Sequence, residues 1–129
     1  MQSQHLSCVI NTSPNAAYEF IADPANLPAW AAGLAKSEVR VDGEDLLMDS
    51  PMGPVRVKFV PRNPQLVADH EVTLPTGTVV YNPLRVLAHP EGCEVVFTIR
   101  QLNLTDEEFA RDCEMVTQDL ATLKEILER

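Results

Sequence analysis

Cysteine is scarce. Only Cys8, Cys93 and Cys113 occur in 129 residues. The number is odd and no CxxC spacing appears, which excludes a disulfide framework and a zinc knuckle. The three read as small buried hydrophobes in a reducing, cytoplasmic setting. Positive charge is short as well. Ten Lys and Arg stand against nineteen Asp and Glu, for a net charge of −9. Phosphate binding needs clustered cations, so nucleic acid is excluded as a partner. Attachment to an anionic membrane surface is excluded on the same ground. No apolar run approaches the ~18 residues of a membrane span. The opening "MQSQHLSCVIN" lacks a basic start and a long apolar stretch, so no signal peptide is expected. Paired carboxylates, a Ser-His-Asp order and a glycine-rich phosphate loop are all missing. His5, His70 and His89 are far apart and share no metal-ligand spacing, so neither metal nor cofactor is expected.

The composition that remains is that of one globular domain, residues 1–129. A chain of this length buries about two-thirds of its unfolded surface and can build a core without staples. "HLSCVIN" (5–11) reads as a strand. Ser13-Pro14 is a helix start: the hydroxyl caps orphan amides, and proline at the first helical position loses no bond. Asp23-Pro24 repeats that chemistry, Pro28 forbids a long second helix, and Gly33 ends the unit. The only tryptophan, Trp30, therefore sits on a short, proline-limited helical piece.

The middle of the chain alternates like strands. "KSEVRV" (36–41) and "DLLMD" (45–49) flank an Asp42-Gly43 hairpin signal. Ser50-Pro51-Met52-Gly53 fits a tight turn before "VRVKFV" (55–60), which places Val55, Val57 and Phe59 on one face. "LVADHEVTL" (66–74) turns at Pro75-Thr76-Gly77 into "TVVYNPLRVLA" (78–88). Asn82-Pro83 interrupts that strand, since proline cannot donate to a ladder. "CEVVFTIRQ" (93–101) puts Cys93, Val95, Phe97 and Ile99 on one face. Thr105 with Glu108 then makes a capping box. Apolar residues at Phe109, Cys113, Val116, Leu120, Leu123 and Leu127 form one helical stripe, widened by Met115 and Ile126.

The order is β-α-α-β6-α, an α+β domain. Hairpin connections require an antiparallel sheet, about seven strands here, with one apolar face. Such a sheet curls, and the final helix is the element available to cover it. One helix cannot fill the curl, so a cavity is expected between helix and sheet, with the bent pair at 14–33 as its lid.

"INTSPNAAYEFIADPANLPAWAAG" resembles the opening of the START-related polyketide cyclase/dehydrase and lipid-transport superfamily, also called SRPBCC, with its helix-grip fold. "DHEVTLPTGTVVYNPLRV", "GCEVVFTIRQ" and "DEEFARDCEMVTQDLATLKEILE" resemble one bacterial branch of it, labelled polyketide-cyclase-like. The resemblance runs from about residue 6 to residue 128. It implies the helix grip and a ligand cavity. The superfamily's activities range from lipid carriers and hormone receptors to cyclases, nucleases and chaperone activators.

Within the expected cavity, alternation sends His70 inward if Asp69 and Glu71 face solvent. An imidazole there could serve as general base or ligand anchor, or be a bonded structural histidine. Tyr81 could donate to a ligand carbonyl and Arg85 could anchor a carboxylate, although the Asn82-Pro83 irregularity leaves their facing open. Trp30, Met48, Phe59, Phe97 and Met115 are pocket wall or plain core. Three functions fit: a binder of a small hydrophobic molecule, lipid or aromatic and polyketide-like; a cyclase- or dehydratase-type enzyme using His70; or a ligand-free interaction module. A homodimer is left open.

Overall fold

The computed structural model describes residues 1–31, 39–43, 45–50 and 53–129. Strand β1 (Ser3–Ile10) leads into helix α1 (Pro14–Ile21), a 3₁₀ turn (Pro24–Asn26) and the single turn α2 (Leu27–Trp30). Strands β2 (Val39–Asp42), β3 (Asp45–Ser50), β4 (Gly53–Phe59), β5 (His70–Thr73), β6 (Val79–Asn82), β7 (Leu84–His89) and β8 (Gly92–Arg100) follow, and helix α3 (Asp106–Leu127) closes the chain. The caps behave as their residues dictate. Ser13 accepts from the Ala16 amide, Asp23 from the Ala25 amide, and Thr105 and Glu108 form the full capping box. The expected strand at 36–38, the end of the lid at Gly33 and the Pro51-Met52 turn fall outside the described residues.

The eight strands form two antiparallel sheets, β1-β8-β7 and β2-β3-β4-β5-β6. The join between them is the hairpin read in the sequence at 66–88. Thr73 faces Val79, His70 faces Asn82, and the same register continues to a bridge between Val67 and Arg85. Ala68 and Val86 donate their amides to Leu84 and Leu66 across that bridge. The strand expected at 78–88 with an interruption at Asn82-Pro83 is therefore two strands, β6 and β7, one in each sheet, and the break is at Pro83. Its carbonyl still accepts from the Thr98 amide at 2.9 Å. Its missing N–H removes the return bond.

The inner face carries Val55, Val57, Val72, Leu84, Val86, Cys93 and Val95, all buried. Leu46 and Met48 face Val57 and Val55 and join them. Helix α3 covers only part of this face, packing on β1, β8 and α2. Leu27 and Trp30 of α2 belong to the same core as Leu120 and Leu123 of α3. Lys124 donates to the Val9 carbonyl at 2.8 Å, and Glu128 accepts the Asn11 amide at 2.9 Å. Both bonds hold the last turns of the helix to the β1 edge, which would otherwise be open for pairing. Near that edge Gly92 turns β7 into β8 with φ of 135°.

Candidate functional site

The sequence-predicted residues fall into three groups. His70, Phe59 and Phe97 come together on the inner face, where the two sheets meet. His70 is 4% exposed. Its ring lies 4.9 Å from that of Phe59 and 5.8 Å from that of Phe97, the latter edge-on. Phe59 sits opposite His70 on β4, and Phe97 sits opposite Leu84 on β8. Three strands thus place one imidazole between two phenyl rings.

The His70 Nδ1 lies 3.1 Å from the Ala68 carbonyl. Burial holds the imidazole pKa below its usual 6.5, against the opposing pulls of that hydrogen bond and of the Asp69 charge. The ring is therefore neutral at pH 7.

Trp30 and Met48 form the second group. Both are core. Trp30 is 2% exposed, and its buried indole N–H finds no hydrogen-bond partner among the described residues. Buried polar groups are nearly always paired, so an orphaned donor in an apolar interior needs a reason.

The third group requires corrections. Tyr81 and Arg85 lie on the outer face of the sheet, away from His70. Tyr81 is 43% exposed. Asp69, whose facing solvent is the condition on which alternation turns His70 inward, is on the outer face but only 3% exposed. Its carboxylate accepts from the Tyr81 hydroxyl at 2.8 Å, from the Leu84 amide at 2.8 Å, and from the Arg85 guanidinium at 3.1 Å. Burial alone would raise the Asp69 pKa. The bonds from Arg85, Leu84 and Tyr81 outweigh it and hold the pKa below the ordinary value. An aspartate on the outer face survives burial only because three donors converge on it. The sequence signal was the proximity of Asp69 to a Tyr-x-x-x-Arg strand, and alternation alone could not pair them. Met115 is also not pocket wall. It is 42% exposed, being one position, about 100° of helix rotation, from the Val116 stripe.

Two further residues were not singled out in the sequence. Asp112 takes a place in the half-buried side of α3 beside Cys113, and burial raises its pKa, helped by the Glu108 charge. Thr98, buried, is bonded to His5 at 2.8 Å. No group of His, Cys, Asp and Glu among the described residues could hold a metal. No helix among them is long and apolar enough to cross a membrane.

The fold is shared widely. A protein of Chromobacterium violaceum superposes with a TM-score of 0.75 at 13% identity, over 100% of this chain and 99% of its own. The Aha1 dimer structure from Colwellia psychrerythraea gives 0.76 at 18% identity, over 99% and 97%. DynU16, from the dynemicin biosynthetic locus, gives 0.75 at 11% identity, and the match covers 99% of this chain but 48% of that one. No curated protein matches the sequence. Residues 1–128 match the family described as polyketide cyclase / dehydrase and lipid transport. With its helix-grip architecture and nearly full-length match, the chain belongs to the polyketide cyclase / dehydrase and lipid transport family.

Proposed function

We propose that this protein binds a small hydrophobic molecule, lipid or aromatic and polyketide-like, in a cavity between the antiparallel sheet and the C-terminal helix. The observation that carries the reading is the His70 cluster. A neutral imidazole between Phe59 and Phe97 supplies an apolar surface with one polar anchor, which is what a small-molecule site needs. The indole N–H of Trp30, which has no hydrogen-bond partner among the described residues, is a donor that a ligand carbonyl would satisfy. The family description supports the same class of ligand. The test is mass spectrometry of small molecules that co-purify with native protein, followed by titration of the recovered compound. A stoichiometric apolar compound, lost in a His70→Ala variant that still folds, supports the reading. A protein that leaves the cell without one, and that no fused aromatic or fatty acid perturbs, overturns it.

A second reading is favoured by the depressed pKa of His70. A neutral imidazole can accept a proton, so the site could serve a cyclase- or dehydratase-type step with His70 as general base. Turnover of a bound polyketide-like compound that vanishes in His70→Gln, while binding persists, would separate enzyme from carrier. The free cysteines favour a cytoplasmic setting. A homodimer, the form in which the Aha1 structure is described, is checked by light scattering.

A further inference from the structure

Ala68 and Leu84 stand opposite each other in the hairpin register, and in an antiparallel ladder such a hydrogen-bonded pair exchanges two bonds. One is made: the Ala68 amide donates to the Leu84 carbonyl at 2.7 Å. The return bond is diverted. The Leu84 amide donates instead to Asp69 Oδ1, at 2.8 Å. The Ala68 carbonyl then meets His70 Nδ1 at 3.1 Å. A carbonyl only accepts, so Nδ1 carries the proton. In a neutral imidazole Nε2 is then a bare acceptor.

We propose that Asp69 is a positioning residue: by capturing the Leu84 amide from the outer face, it frees the Ala68 carbonyl to hold His70 in the Nδ1–H tautomer, so that the site takes apolar molecules bearing a neutral hydroxyl donor and disfavours carboxylates. This rests on the ligand-binding reading above. Tyr81 and Arg85 hold the carboxylate in place from the outside. Their engagement there also decides the ligand's charge. Arg85, the cation that could have met a carboxylate beside His70, is turned to the opposite face. A lone pair at Nε2 repels an anion and attracts a phenol, enol or alcohol. A hydroxyl that completes this bond replaces its lost water, whereas a methyl ether leaves the nitrogen unpaired.

The first arm of the test reads the tautomer without any ligand. Long-range proton–nitrogen correlation spectra of histidine-labelled protein distinguish the two tautomers by their ring nitrogen shifts. Wild type should show Nδ1–H at His70. Asp69→Asn keeps an oxygen for the Leu84 amide and should retain that pattern. Asp69→Ala should return the amide to the Ala68 carbonyl and shift His70 toward Nε2–H. Wild type in the Nε2–H form, or Asp69→Ala unchanged, overturns the role of Asp69. The wild-type spectrum decides even if Asp69→Ala does not fold. The second arm compares 2-naphthol, 2-methoxynaphthalene and 2-naphthoate by fluorescence titration. The naphthol should bind about tenfold tighter than either relative, the worth of one good hydrogen bond. Equal or tighter binding of the naphthoate overturns the selectivity. Binding of none of the three overturns the cavity reading and the selectivity with it, while the tautomer spectra still decide what Asp69 does.

Discussion

Asp69 and His70 are consecutive residues, both buried, on opposite faces of one sheet. Asp69 is ionised and turned outward beneath Tyr81 and Arg85, while His70 is neutral and turned inward between two phenyl rings. One peptide unit thus separates a carboxylate stabilised by donors from an imidazole deprived of its charge.

That pair sets how stability depends on pH. Unfolded His70 takes up a proton near pH 6.5, and the folded protein resists it. Below that pH the unfolded state binds more protons, so stability falls as pH drops from the unfolded value through the folded one. Asp69 acts in the same direction at lower pH. Its folded carboxyl is held down, so its contribution is intact above its unfolded pKa and lost as pH falls through the folded pKa. Urea midpoints measured from pH 7.5 to 5.5 should decline in wild type. The decline should be shallower in His70→Gln. Parallel slopes would place the responsible proton elsewhere.

Glycine offers a sharper contrast. A Cβ at Gly92 would lie 2.5 Å from the Ile10 carbonyl oxygen and 2.8 Å from that of Thr12, at φ of 135°. A Cβ at Gly43 would meet nothing within 4 Å, at φ of 65°. Gly92→Ala should cost upwards of roughly 1–3 kcal/mol, since strain and clash combine. Gly43→Ala should cost about 1 kcal/mol, the left-handed penalty alone. Equal denaturation midpoints for the two would mean that the β7-β8 turn yields easily.

The C-terminal helix makes a similar pair of expectations. Leu123 is fully buried, so Leu123→Ala should destabilise by about 2–5 kcal/mol. Met115 faces water, so Met115→Ala should stay within about 0.5 kcal/mol of wild type. A large loss at Met115 would show that the helix meets another surface there.

Most of the fold could be read from local chemistry. Ser13-Pro14, Asp23-Pro24 and the Thr105–Glu108 box are caps whose partners lie within a few residues, so sequence suffices for them. Alternation located the buried face of β4 and of the first half of β8, whereas Thr98 and Ile99, on opposite faces further along β8, are both buried. The same parity turns His70 inward and Asp69 outward, yet Asp69 is shielded from solvent. Alternation assigns a face and cannot assign exposure. What buries Asp69 is the arrival of Tyr81 from β6 and Arg85 from β7, twelve and sixteen residues away, a pairing set by hairpin register. Met115 failed for a different reason. A helical stripe has blurred edges, and soft side chains at its margin read as core in a linear sequence.

Trp30 allows a final test with a single reporter, because no other tryptophan is present. Its indole is buried in the core and its N–H lacks a partner among the described residues, so emission should be well to the blue of indole in water. Trp30→Phe keeps an aromatic ring and deletes the orphaned donor. Relief of that unpaired group, about 1–3 kcal/mol, offsets much of the packing lost with the second ring. Stability should therefore change little. Affinity for a carbonyl-bearing apolar probe such as 2-acetylnaphthalene should fall about five- to tenfold if the indole donates to it, since one hydrogen bond is at stake. Affinity for naphthalene itself should hold. A variant that loses several kcal/mol of stability, with no difference between the two probes, would make Trp30 a packing residue and leave His70 as the lone polar anchor.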